Sequence, residues 1–200
     1  FGKCKSRQGL WKPEGIESMN IIGLGRAGCA IAEKFGQHPQ YKIFQIDVDK
    51  EGTRCYNVTR QRGPEEYEAN TPSFKKFFGK IQGDTTFVIG GSGDISAMSL
   101  RIVEQIKGAC DIDILYIAPD RALLSEKRKM HEKVTYNVLQ NYARSGAIRR
   151  IYLVSNPQVE SIIGEVPIMG YFDKLNDFIV STIHMINVFR NADPVMGGLR

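Results

Sequence analysis

Two glycine-rich segments are the residues best suited to chemistry. Gly23-Leu24-Gly25-Arg26-Ala27-Gly28 fits the pattern GxGxxG. It follows the apolar run MNIIGL and precedes a stretch with Ala27, Ala30, Ile31 and Phe35 near helical spacing. Between a strand and a helix, such glycines let backbone N–H groups approach a phosphate at the helix amino terminus. Asp47 closes the next apolar run, 19 residues beyond Gly28, where a carboxylate accepts from ribose hydroxyls. Taken alone, this pair reads as an NAD site, with a simple packing turn as the alternative. The second segment, Gly90-Gly91-Ser92-Gly93-Asp94-Ile95-Ser96, also follows an apolar run and opens a helical pattern. A dinucleotide site needs one such loop. Two loops at neighbouring strand ends suit a mononucleotide whose phosphates are wrapped from both sides. Neither segment reads GxxxxGK(S/T), so a P-loop is excluded.

Other chemistry finds little support. Cys4, Cys29, Cys55 and Cys110 form no CxxC pair, which argues against zinc and for a reducing, cytoplasmic setting. His38, His131 and His184 fall on separate elements with no ligand spacing. His184 reads as a packed or capping histidine. Cys29 sits where a helix amino terminus lowers a thiol pKa, but a small buried residue is the simpler reading. The absence of GxSxG leaves an α/β-hydrolase nucleophile unsupported. Glu126-Lys127-Arg128-Lys129, with Glu132 and Lys133, reads as a solvated helix face with paired charges. Arg149-Arg150 could extend it, but no aromatic residues interleave to read nucleic acid.

The elements that must position these loops follow from the chain's alternation. Apolar strands at MNIIGL, YKIFQIDVD, TTFVIGG, DIDILYIAP and AIRRIYLVSN are separated by amphipathic stretches. One helix is expected over 71–81, with Thr71 as cap and Pro72 first. Another starts at Asp94, and a third closes at Gly146. A long final helix carries the stripe Leu175, Ile179, Ile183, Ile186. Near-continuous apolar strands alternating with helices predict an α/β fold. The expected form is a Rossmann-like doubly wound parallel sheet of about five strands, with helices on both faces and a long C-terminal helix. All strand ends then share one edge, where ligands bind. That edge gathers residues 23–28, Asp47 and Asp49, residues 90–96, Pro119 and Asp120, and Asn156.

With 200 residues, 42% hydrophobic and 24% charged, the chain has the composition of one globular domain. No apolar run reaches the length of a membrane span. A net charge of +5 does not by itself indicate nucleic acid. Residues 1–18 lack both periodicity and the apolar middle of a signal peptide, and read as an arm before the domain at 19–190. The simpler reading is a flexible or strapped-on arm; the sharper one is a docking arm, with Trp11 as anchor and the lysines meeting an acidic partner. Residues 191–200 read as a tail.

From about 19 to 190 the chain resembles the nucleotide-binding domain of the FtsZ/tubulin family. MNIIGLGRAGC looks like that family's first glycine loop, and FQIDVD like its second strand. TTFVIGGSGDIS stands where the family has GGGTGTG. APDRALLSEKRKM resembles the segment after its fourth strand, LVSNP its IPND, and VPIMGYFDKLNDFIVSTIHMI the start of its central helix. The resemblance implies GTP or GDP, with Mg²⁺, as ligand. It places Gly23, Gly25, Arg26, Ala27 and Gly28 along the diphosphate. Gly91, Ser92, Gly93, Asp94 and Ile95 would wrap the phosphates through backbone amides. Ser125 and Lys129 would contact ribose and phosphate, Asn156 the sugar or guanine, and Phe172 the base. Asn176 or Asp177 would accept from the guanine N1–H and 2-amino group.

Three departures temper the expected activity. Asp94 replaces a Thr or Ser and repels phosphate unless Mg²⁺ intervenes or it caps the following helix, the preferred reading. Ser125 replaces an acidic residue. NADPVMGGLR offers nothing like the acidic loop that activates water in the family. The first expectation is therefore guanine-nucleotide binding that controls assembly, through self-association or a larger protein complex, with hydrolysis in doubt. The second is a structural protein with a decayed site. The third is an NAD-dependent enzyme, which explains the first loop but not the second.

Overall fold

The computed structural model describes residues 18–164 and 167–191. The expected arm and tail, with Trp11, lie outside them apart from boundary residues 18 and 191. In chain order the elements are β1 (Met19–Leu24), α1 (Gly25–Phe35), β2 (Tyr41–Asp47), β3 (Cys55–Asn57), α2 (Pro64–Ala69), α3 (Lys75–Phe78) and β4 (Gly83–Gly90). Then come α4 (Ser99–Ile106), β5 (Cys110–Ala118), α5 (Glu126–Arg144), β6 (Arg150–Ser155), α6 (Asn156–Ile163) and α7 (Tyr171–Asn191). Short 3-10 turns at Asp94–Met98 and Arg121–Leu123 precede α4 and α5.

The six strands form one sheet in the order β3-β2-β1-β4-β5-β6, and every pairing is parallel. This is the expected doubly wound arrangement. Strand periodicity sends alternate side chains to opposite faces. Ile22, Leu24, Phe87, Ile89, Ile112, Ile114 and Tyr116 pack on one face with α3, α4 and α5. Ile21, Val88, Leu115 and Ile117 pack on the other with α1, α6 and α7. Helices therefore cover both faces, as predicted. The stripe Leu175, Ile179 and Ile183 is buried against the second face, with Ile186 packed beside it.

Several expectations are corrected. The sheet has six strands rather than about five, because β3 adds an edge strand. Three residues, Cys-Tyr-Asn, are too few to show a period. The helix expected over 71–81 is the single turn α3. Thr71 instead closes α2, its hydroxyl donating to the carbonyls of Tyr67 (2.8 Å) and Glu68 (2.9 Å). Tertiary packing overrides the cap signal: Phe74, Phe77 and Phe78 pack edge-on with Phe44 and Tyr56, and one turn suffices to bury them. Helix α6 follows β6 directly, with Pro157 in its first turn.

Two charge readings also change. Glu132 is 6% exposed, not solvated. Arg149 does not extend a basic surface. Its Nε and Nη2 donate to the carboxylate of Asp113 at 2.8 and 2.9 Å, and its Nη1 to Asp84 at 2.7 Å. Asp113 is 1% exposed and also accepts from Arg190 Nη1 (3.1 Å) at the end of α7, with Arg150 3.7 Å away. A buried carboxylate requires such compensation. The cluster ties α7 to the side of the sheet where the strands begin.

Candidate functional site at the carboxyl edge of the sheet

Strands β1 and β4 are neighbours, with Gly23 opposite Val88 and Leu24 opposite Ile89. The chain leaves β1 toward α1 on one face and leaves β4 toward α4 on the other. Their carboxyl ends therefore splay apart, which makes the switch-point crevice where open sheets bind ligands. Both glycine loops stand at this crevice.

In the first loop the glycines serve close approach. A Cβ on Gly23 would lie 2.7 Å from the Gly28 carbonyl carbon and 2.8 Å from the Ala32 Cβ, and one on Gly28 would lie 2.6 Å from the Val88 oxygen. Helix α1 thus presses directly on β1 and β4. Gly25 has φ +71° and faces Ile95 of the second loop. Helix α1 carries no side-chain cap at Leu24 and no acidic residue in its first turn. Its first amides are left to a ligand or water, and the dipole favours an anion there. Arg26 and Ala27 are exposed beside them.

The second loop is more committed to the fold. The Gly91 amide donates to the Ile117 carbonyl at 2.9 Å, so it is not available to wrap a phosphate. The Ser96 hydroxyl donates to the Gly90 carbonyl. Ile95 is buried against Gly25, which brings the two loops into contact. Gly93 occupies the cap position of the 3-10 turn, and Asp94 follows it in the first turn without a capping bond. The capping role expected for Asp94 is not observed. Its carboxylate is half-buried and has no hydrogen-bond or ion-pair partner among the described residues. Ser92 is half-buried.

The remaining expected residues do not all gather at the crevice: Asp177 meets Lys34 in the last turn of α1, away from the glycine loop that opens that helix. Asp47 accepts from the Val48 amide at 2.8 Å. Asn156 begins α6 after β6. Their strands are four positions apart, about 19 Å at normal strand spacing, so they cannot share one ribose. Ser125 caps α5 through the Arg128 amide (3.5 Å), and Lys129 pairs with Glu126 at 2.7 Å. Phe172 is 68% exposed at the start of α7. Asn176 is half-buried, and Asp177 is paired with Lys34 of α1 at 2.7 Å.

The sequence reading placed Pro119 at this edge and quoted Arg121 within APDRALLSEKRKM, but missed that Tyr116 and Glu132 fold beneath them. The buried Tyr116 lies against Gly91, and Pro119 flanks the same glycine. The Tyr116 hydroxyl lies 3.4 Å from Glu132, which pairs with Arg121 at 3.5 Å. No motif marks Tyr116 and Glu132 as partners; only their contact does. Cys29 takes the simpler of its two readings. Its thiol is buried near the carbonyls of Gly23 and Ile46, and burial, aided by Asp47, pushes its pKa up to about 12. The histidines do meet: His38 stacks on His184 with ring centres 3.7 Å apart, and Tyr41 lies 2.9 Å from the His184 Nδ1. Burial, and then His38, lowers the His184 pKa. Among the described residues no group of three or more metal-ligating side chains forms.

Two concavities lie elsewhere. One of about 640 Å³ sits between Glu68, Thr71, Arg101, Gln105 and Lys107, and one of about 330 Å³ lies by Glu33, Ile43 and Arg54. Neither touches a glycine loop. The first is a mixed-charge groove at the end of α4.

No family model and no curated protein match this sequence. Solved structures do. An empty FtsZ dimer from M. jannaschii aligns over 90% of this chain at a TM-score of 0.68 and 11% identity. A tryptophan-to-tyrosine variant of that FtsZ aligns over 90% at 0.67, also with 11% identity. The chain has the FtsZ fold. It spans 57% and 58% of those two structures, corresponding to the amino-terminal portion of FtsZ. The crevice between β1 and β4 is therefore the carboxyl edge of an FtsZ-like sheet. Among the described residues no helix is long and apolar enough to cross a membrane.

Proposed function

We propose that this chain is a guanine-nucleotide-binding domain acting in protein assembly, with the nucleotide's phosphates at the β1/β4 crevice. The observation that carries the reading is the first loop. Three close-packed glycines and an uncapped, acid-free helix end leave backbone donors at the crevice, with Arg26 exposed in the same helix turn. The second loop lies against it through Ile95 and offers Ser92, Gly93 and Ile95 as further backbone donors. Lys129, Asn156, Phe172 and Asn176 are the candidates for the sugar and base. Asp177 joins them by giving up its pairing with Lys34. Ser125 is held by α5 and contributes less than the acidic residue it replaces. The reading covers binding and self-association of the domain, and assigns no hydrolytic step.

A second reading has its own support. Asp94 places a negative charge on the second loop, and the Gly91 amide is already bonded. Both favour a site that has lost its nucleotide while the fold serves a structural role.

Calorimetric titration with GTP, GDP, ATP and NAD, with and without Mg²⁺, separates these readings. Selective binding of GTP or GDP is expected. Binding of none, with the fold intact, would establish the structural reading. Preference for NAD would overturn both and make Asp47 the ribose ligand.

A further inference from the structure

We propose that Arg121 is a phosphate-contacting residue of the carboxyl-edge site, held in position by the buried carboxylate of Glu132. The inference rests on the reading of that edge as a nucleotide site. Glu132 is 6% exposed on α5. Burying a carboxylate without partners is strongly unfavourable, so its contacts identify what the fold is holding. One oxygen lies 3.4 Å from the Tyr116 hydroxyl, and the other 3.5 Å from the Arg121 Nε. Tyr116 in turn abuts the second glycine loop: a Cβ on Gly91 would lie 2.7 Å from its Cζ. Pro119, two residues before Arg121, closes on the same glycine, its Cδ 3.0 Å from that Cβ position. Arg121 therefore stands in the 3-10 turn beside the loop that would wrap the phosphates.

The pairing uses one part of the guanidinium. Glu132 engages Nε, while the terminal Nη groups make no hydrogen bond among the described residues, and the side chain is 59% exposed. With Nε nearest the Glu132 carboxylate, the terminal nitrogens are left as a planar donor pair, the geometry that phosphate oxygens accept. Asp94 on the second loop and Glu132 on α5 are both negative, so a phosphate at this edge depends on the exposed guanidiniums of Arg26 and Arg121. Glu132 is thus a positioning residue. Tyr116, its hydroxyl pKa raised by burial and by the Glu132 charge, remains a neutral donor that carries this support to Gly91.

The test uses the whole 200-residue chain, titrated calorimetrically with pyrophosphate, GDP and guanosine at fixed ionic strength. Loss of a charge-assisted contact predicts that Arg121→Gln weakens pyrophosphate and GDP by about tenfold to a hundredfold while leaving guanosine unchanged. Arg121→Lys recovers part of that loss. Glu132→Gln produces a smaller loss with the same phosphate dependence, and Lys133→Gln, an exposed charge on α5, produces none. Equal affinities in the parent and Arg121→Gln would overturn the inference and leave the guanine reading standing. Equal losses for GDP and guanosine would also overturn it, since they would show a structural effect. Arg121-dependent pyrophosphate binding without guanine preference would sustain the inference and sink the guanine reading. No binding by the parent would overturn both.

Discussion

At the edge where the strands begin, Asp113 is 1% exposed and gathers Arg149, Arg150 and Arg190. At the edge where they end, Arg26 is exposed beside uncapped amides, and Arg121 has one nitrogen paired and its terminal pair open. The first edge consumes its cations in compensating one buried carboxylate and fastening α7. The second leaves donors uncompensated. Where a sheet satisfies its buried charges internally, removing one partner is costly; where it leaves oriented donors open it can bind an anion.

The largest expected effect lies at the first edge. Asp113→Asn leaves three arginines without their common negative charge, with only Arg149 keeping a second carboxylate, Asp84. Because those arginines are partly exposed, we expect a loss near the lower end for broken buried pairs, about 3 kcal/mol in urea unfolding. A loss below about 1 kcal/mol would show that solvent, not Asp113, compensates them.

Next comes a pair of glycine substitutions at the second edge. Gly28→Ala drives a methyl to 2.6 Å from the Val88 carbonyl and should cost about 1–3 kcal/mol by prising α1 from β4. Gly93→Ala meets nothing nearer than 3.5 Å, and its backbone is ordinary, so unfolding should shift by about 0.5 kcal/mol or less. Equal effects would mean that the two loops do not differ in packing. Asp94→Thr addresses charge rather than space. It should tighten GTP binding several-fold by calorimetry; unchanged affinity would place Asp94 away from the phosphates.

The smallest expected effect is a pH dependence at the first edge. His184 is packed between His38, Gln40 and Tyr41, with Asn187 donating to the Tyr41 oxygen. Its pKa is lowered in the fold, so the unfolded chain binds its proton more readily. This contribution is complete above the ordinary histidine pKa and declines as pH falls from there through the lowered value. Melting temperature should therefore drop on acidification from pH 7.5, and His38→Gln should shrink that drop. An undiminished drop in the variant would remove the stack as its cause.

Much of this is legible in the sequence. Gly23, Gly25 and Gly28 announce a strand-to-helix turn, and the fold uses each: Gly28 for the approach to Val88, Gly23 for that to Gly28 and Ala32, and Gly25 for its positive φ. The apolar runs specify β1, β2, β4, β5 and β6. The short strand β3 and the turn α3 escaped because a few residues carry no period. Glu132 and Arg149 were misplaced because a charge run on a helix gives no sign of which face will be covered.

By itself, the sequence determined the layered α/β architecture and the convergence of both glycine loops on one edge. Parallel strands joined by right-handed crossovers leave no other side for their ends. Tertiary structure alone decided which charges are consumed and which are left open. It buried Asp113 under three arginines, bonded the Gly91 amide to Ile117, stacked His38 on His184 and set Glu132 behind Arg121. Each of these joins residues on different elements, and local periodicity contains no information about such partners.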